Sequence, residues 1–165
     1  MSTAAELIDE ITSAFKARHI PSDRIVDASV DLNYHAEAQR VDAYLRKYRK
    51  IIDRSNHALS IFHYLTPEAA LWILPSCMIS IIETSGRDDF FIDLVAGALA
   101  SGTPGARYRS QGELGIKMRE RATEEEAQSV RDFLHWIRSY RSDGIEAEIE
   151  SALEIWRKNS KAVLP

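Results

Sequence analysis

The stretch "LTPEAALWILPSCMISIIE", Leu65 to Glu83, constrains this chain more than any other, because it opens like a helix, is apolar on nearly every face and holds a proline. Thr66 is the expected N-cap, Pro67 takes the first helical position, where its missing N–H is no loss, and Glu68 faces the positive end of the helix dipole. Ala69 to Ile82 then presents apolar residues all round, the pattern of a helix enclosed by neighbours. The spacing predicts a buried central helix over about 66–83. Pro75 cannot donate to the carbonyl of Leu71 and its ring crowds that turn, so a kink is expected there, at about 3 kcal/mol unless packing offsets it. Ala69 to Ile82 spans fourteen residues and includes Pro75, Ser76 and Ser80. That is short of the roughly 20 apolar residues that cross a bilayer, so the segment reads as core.

The remaining pattern is helical as well. Thr3-Ala-Ala-Glu6 has capping-box spacing, and Leu7, Ile8, Ile11 and Phe15 recur at helical intervals, giving a first helix to about Arg18. Pro21, Ser22 and Asp23 mark a break and the start of a short second helix. Val41, Tyr44, Leu45, Tyr48, Ile51 and Ile52 define a third, over about Asn33 to Ile52. A fifth, about Asp88 to Ala100, offers Phe90, Phe91, Leu94, Val95 and Leu99, and "SGTPGARYRSQG" follows as a loop. Thr123-Glu-Glu-Glu126 is a second capping box, opening a helix through Val130, Phe133, Leu134, Trp136 and Ile137. The last helix, about Ile145 to Lys158, carries Ile145, Ile149, Leu153 and Trp156 in one stripe. A short strand pair around Ile116 to Met118 is the one β feature expected. The fold class is therefore all-α: a single domain over 1–165, six or seven helices around the 66–83 helix, with a flexible tail at 159–165.

"LTPEAALWILPSCMISIIE", then "ATEEEAQSVRDFLHWI" and "IESALEIW", resemble a family of small bacterial proteins catalogued as a domain of unknown function. The likeness lies in a Leu-Thr-Pro-Glu-Ala start, a Leu-Pro within the same helix, a Thr-capped helix ending in Phe-Leu and a Trp near the C-terminus. It covers most of the chain and implies a helical fold. These motifs are helix starts and core positions, so the resemblance implies no catalytic residue.

Composition narrows the function classes. The net charge of -4 argues against a surface wholly committed to nucleic-acid phosphates. Glu6, Asp9 and Glu10 stand where a signal peptide needs a basic start and an apolar run, so a cytoplasmic protein is expected. Cys77 is the single cysteine, which excludes an internal disulfide and a cysteine-based zinc cluster. Set among apolar residues, it reads as an inert core thiol.

No motif carries chemistry. The histidines His19, His35, His57, His63 and His135 make no His-Glu-x-x-His pair, and Asp132-x-x-His135 lacks the second such unit of a di-iron bundle. His35, His57, His63 and Glu37 could meet in space, but no spacing promises it, so neither metal nor cofactor is expected. "SGTPGARYR" could hold an anion on Arg107 and Arg109, yet it lacks the Gly-Lys-Ser/Thr end of a P-loop. No Gly-x-Ser-x-Gly elbow occurs.

Two charge patterns are left. Arg40, Arg46, Lys47, Arg49, Lys50 and Arg54 face only Asp42 and Asp53, with Tyr44 and Tyr48 between them; the tyrosines share a side with Val41 and Ile51, which makes a solvated basic face the plainer reading. "DGIEAEIESALEIW" holds Asp143, Glu146, Glu148, Glu150 and Glu154 without one Lys or Arg, and Glu124, Glu125 and Glu126 add to it. Such a helix commonly just solvates, but it can also dock on the basic groove of a partner. The favoured expectation is a noncatalytic bacterial module that binds a protein, such as an inhibitor or immunity protein for a basic partner, through Asp143, Glu146, Glu150 and Glu154. One alternative is a small enzyme or ligand-binding bundle with a pocket at His63, Tyr64, Trp72 and Pro75. The other is nucleic-acid binding through Arg46, Arg49 and Lys50.

Overall fold

The computed structural model describes residues 3–27, 35–48, 64–85, 89–103, 113–140 and 144–157. Among these residues there are seven helices: α1 Ala4–Ala14, α2 His35–Tyr48, α3 Pro67–Glu83, α4 Asp89–Ala100, α5 Leu114–Arg121, α6 Glu124–Tyr140 and α7 Glu146–Ile155. The fold is all-α. Its β content among these residues is one isolated antiparallel bridge between Val26 and Leu65, flanked by Asp27 N–H to the Tyr64 carbonyl at 2.7 Å and Thr66 N–H to the Ile25 carbonyl at 2.9 Å.

The helix starts follow local chemistry. Thr3 accepts from the Glu6 N–H at 3.3 Å while Glu6 takes the Thr3 N–H at 2.7 Å, and Thr123 and Glu126 repeat the exchange at 3.2 and 2.8 Å. The Thr66 hydroxyl accepts from Ala69 N–H at 3.3 Å. Each closes within one turn and satisfies donors that a helix start leaves without partners.

Buried side chains from all seven helices form one contiguous core. α6 packs between α1 and α7 in one layer; behind it α3 lies against α1, α4 against α7, and α5 joins α3, α4 and α7. The enclosed helix is α4, not α3. Every side chain described from Phe91 to Ala100 is buried except half-buried Asp93, whereas α3 keeps a half-exposed stripe of Trp72, Pro75, Ser76, Ile79 and Ser80. Ala96, Gly97, Ala98 and Ala100 explain the difference, because small residues let neighbouring helices close in on every side. α3 runs as one helix through Pro75, which itself lies on the half-exposed stripe.

The C-terminal end of α4 is tied by side chains. Ser101 Oγ donates to the Ala98 carbonyl at 2.8 Å, Thr103 Oγ1 to the Ala100 carbonyl at 3.0 Å, and the Trp156 indole to the Leu99 carbonyl at 3.2 Å. Ser101 Oγ in turn accepts from Gly115 N–H at 2.6 Å, which draws the start of α5 onto the end of α4. Carbonyls that would be orphaned in a buried helix end are thereby paired.

Three further expectations are corrected. Ile116 to Met118 lie inside α5, not in strands, because Leu114, Met118 and the glycine at 115 meet the core at helical intervals. After α1 the chain makes no short helix over the described residues up to Asp27; it bends through Ser22 and Asp23 and then enters the bridge with Leu65. α1 itself stops at Ala14 with Phe15 as its C-cap, one turn before Arg18. Expectations for 33–34, 49–63, 104–112, 141–143 and the tail at 159–165 lie outside the described residues. No helix among the described residues is long and apolar enough to cross a membrane.

Candidate functional site

The expected acidic residues divide once they are placed. Glu146, Glu150 and Glu154 are exposed, one turn apart along α7, while Asp143 lies outside the described residues. Glu148, on the opposite side of the same helix, is buried. Glu126 is buried too and does not belong to an acidic surface: Arg18 Nε and Nη2 grip its two carboxylate oxygens at 2.6 and 2.7 Å, and Arg18 Nη2 also donates to the Arg121 carbonyl at 2.7 Å. That forked ion pair holds the Arg18 guanidinium above its ordinary pKa, the hydrogen bond it donates to Glu126 being the main cause. Glu124 is engaged by Arg119 at 2.8 Å and Arg131 at 3.0 Å, and Arg131 also donates to the Trp156 carbonyl. Partial burial raises the Glu124 pKa, but the two arginines outweigh it and hold the carboxyl below the usual range. These pairs knit α5, α6 and the end of α7 together.

The layer of α1, α6 and α7 nonetheless gathers negative charge from three separate stretches of sequence. Glu6, Asp9 and Glu10 on α1, Glu124 and Glu125 on α6, and Glu146, Glu150 and Glu154 on α7 are exposed, against one exposed cation on these helices, Arg138, which pairs with Glu150. The N–H and hydroxyl of Thr3 hold the Glu6 carboxyl below its ordinary pKa. In the sequence Glu6, Asp9 and Glu10 bear only on the absence of a signal-peptide pattern, since nothing local says that α1 lies beside α6.

Two grooves follow the seam between α1 and α6. One, of about 350 Å³, lies between the first turns of α1 and the last turns of α6 and is lined chiefly by Thr3, Leu7, Asp132, His135, Trp136 and Tyr140. The other, wider and more open at about 770 Å³, passes over Glu10, Ala14, Glu125, Gln128, Ser129 and Asp132. Asp132 belongs to both. Tyr140 is 60% exposed, the one large hydrophobic side chain so exposed among the described residues, and its ring sits 4.4 Å from that of Trp136, tilted by 33°. Helical spacing would assign Tyr140 to the stripe of Phe133 and Ile137; it stays outside because it ends the helix, one turn past the core.

The alternative sites gain less. Tyr64 is in the core, Trp72 and Pro75 are on the half-exposed stripe of α3, and His63 lies outside the described residues. Cys77 is 1% exposed and burial drives its thiol pKa far up, which makes it no nucleophile. Arg46 is paired with Asp42 at 2.9 Å, and Tyr44 packs partly buried against the core, where it cannot stack bases; Arg49 and Lys50 lie outside the described residues. His19 and His135 are exposed, and no group of three metal-ligating side chains meets among the described residues.

No protein-family model matches the chain, and neither a curated protein nor a solved structure matches it.

Proposed function

We propose that this protein is a noncatalytic module of the bacterial cytoplasm that binds a basic partner protein, as an inhibitor or immunity protein does, through the outer face of α1, α6 and α7. The observation that carries the reading is the concentration of eight exposed carboxylates on three packed helices, against exposed Arg138 within them and Lys16 and Arg157 just past their ends, in a chain whose net charge is only -4. Such a face raises the local concentration of a cationic partner, speeds its association and repels wrong, acidic ones. The ion pairs of Glu124 and Glu126 tie α6 to α5 and to the segment after α1. The pocket and nucleic-acid alternatives have no comparable feature.

The test is capture from a lysate of the source organism at low salt, followed by association kinetics of the captured protein against ionic strength. The expected result is one stoichiometric basic protein whose association slows with salt and is lost with E146K/E150K/E154K. Nothing above background, or capture that the triple variant leaves unchanged, overturns the reading.

A further inference from the structure

We propose that the groove at the N-terminal end of the α1–α6 seam receives one arginine side chain of the basic partner, stacked on Tyr140 and paired with Asp132. The inference rests on the reading that the acidic layer binds a basic protein, and it names where that protein is gripped.

Asp132, Trp136 and Tyr140 stand at i, i+4 and i+8 on α6, so they form a row on one side of the helix with about 6 Å between successive steps. Trp136, 8% exposed, is fixed by the core, and Tyr140 leans on it with ring centroids 4.4 Å apart. The aromatic platform is therefore ordered before any partner arrives, which spares the ordering cost of a loose side chain. At the other end of the row, Gln128 Nε2 lies 2.9 and 3.0 Å from the two Asp132 oxygens and orients the carboxylate. A carboxylate has about four acceptor positions, so lone pairs are left for an incoming donor. Across the groove, Ala4 and Leu7 supply an apolar wall for an aliphatic stem.

The volume of about 350 Å³ suits one side chain. Arginine fits the chemistry better than lysine, since its planar guanidinium can stack on a ring while its N–H groups pair with a carboxylate, whereas an ammonium is a hydrated point charge. Of the two arginines on the same helix, Arg138 is paired with Glu150, and Arg131 with Glu124, Gln128 and the Trp156 carbonyl.

The experiment titrates the full chain with acetyl-arginine amide, and with acetyl-citrulline amide as the uncharged isostere, while ¹H–¹⁵N NMR follows the Trp136 indole. Arginine amide is expected to shift that signal saturably in the millimolar range and citrulline amide to leave it in place. Y140A and D132N should each weaken binding about tenfold, while Y140F stays within about twofold of wild type. Equal response to citrulline, or titrations that Y140A and D132N leave unchanged, overturns the arginine site. If capture of the basic partner still depends on the α7 carboxylates when the arginine titration fails, the acidic face stands and only the arginine site falls. If the arginine titration succeeds while capture ignores those carboxylates, it is the reading of the face that falls.

Discussion

Replacing Gly115 by alanine pits two effects of known sign against each other. Gly115 is the second residue of α5, and alanine in a helix interior is favoured over glycine by about 1 kcal/mol, so propensity alone predicts a more stable protein. The tertiary structure predicts the opposite. A Cβ built there would stand 2.5 Å from the Leu99 carbonyl oxygen, 2.8 Å from that of Ser101 and 2.9 Å from that of Ala98, all of them backbone atoms that cannot swing aside. Reaching the 3.4 Å of ordinary contact requires α5 to retreat from the end of α4 by about 0.9 Å. That movement stretches the Gly115 N–H to Ser101 Oγ bond, 2.6 Å long and buried, and presses on the carbonyl that accepts the Trp156 indole. Overpacking costs about 1–3 kcal/mol, and spoiling a buried hydrogen bond about as much again. Less the propensity gain, the net loss is about 3 kcal/mol. In a chain of this length that lowers Tm by about 6–12 °C. Urea unfolding followed by far-UV circular dichroism, with a thermal melt, measures it. Gly144→Ala serves as the contrast, because nothing lies within 4 Å of its added Cβ and only its φ of +95° is strained. A Gly115→Ala protein as stable as wild type, or more so, would refute the close-approach reasoning.

The other predictions concern charge and burial. Glu126→Gln leaves Arg18 without its carboxylate in a pair whose glutamate side chain is 3% exposed, and should cost about 3 kcal/mol, read as a lower urea midpoint with the slope unchanged. An unchanged midpoint would show that the pair adds nothing to stability. Because Glu124 has its pKa lowered on folding, its contribution is present above 4.5, the ordinary glutamate value, and is lost as pH falls through the lower folded value. Wild type and E124Q should therefore differ in Tm at neutral pH and converge below pH 4.5; parallel curves throughout would contradict this. Cys77 should resist Ellman's reagent in the native protein and react fully in guanidinium. Rapid native reaction would mean that α3 opens locally.

Much of the secondary structure is legible in the sequence because it rests on contacts within one turn. Thr3, Thr66 and Thr123 start their helices through side-chain bonds to the residue three positions on, and such bonds involve no distant part of the chain. The acids of α7 are equally plain, since Glu146, Glu150 and Glu154 recur at the helix period. The site is less legible. Glu124, Glu125 and Glu126 are consecutive and alike, yet one is shared between two arginines, one is exposed and one is buried against Arg18, more than a hundred residues earlier. No local pattern encodes such a partner.

The sequence by itself determined that the chain is helical, where most helices begin, which side chains avoid water and that the protein is acidic. It misplaced the centre, because apolar content marks α3 while enclosure depends on how closely neighbours approach, and the small residues of α4 allow the closer approach. Only the tertiary structure packed α6 against both α1 and α7, bringing three separated acidic stretches onto neighbouring helices, and left Tyr140 exposed above Trp136. Helix formation is decided by neighbours three and four residues away, whereas burial and the sharing of charge are decided by whichever surfaces the packed helices bring together.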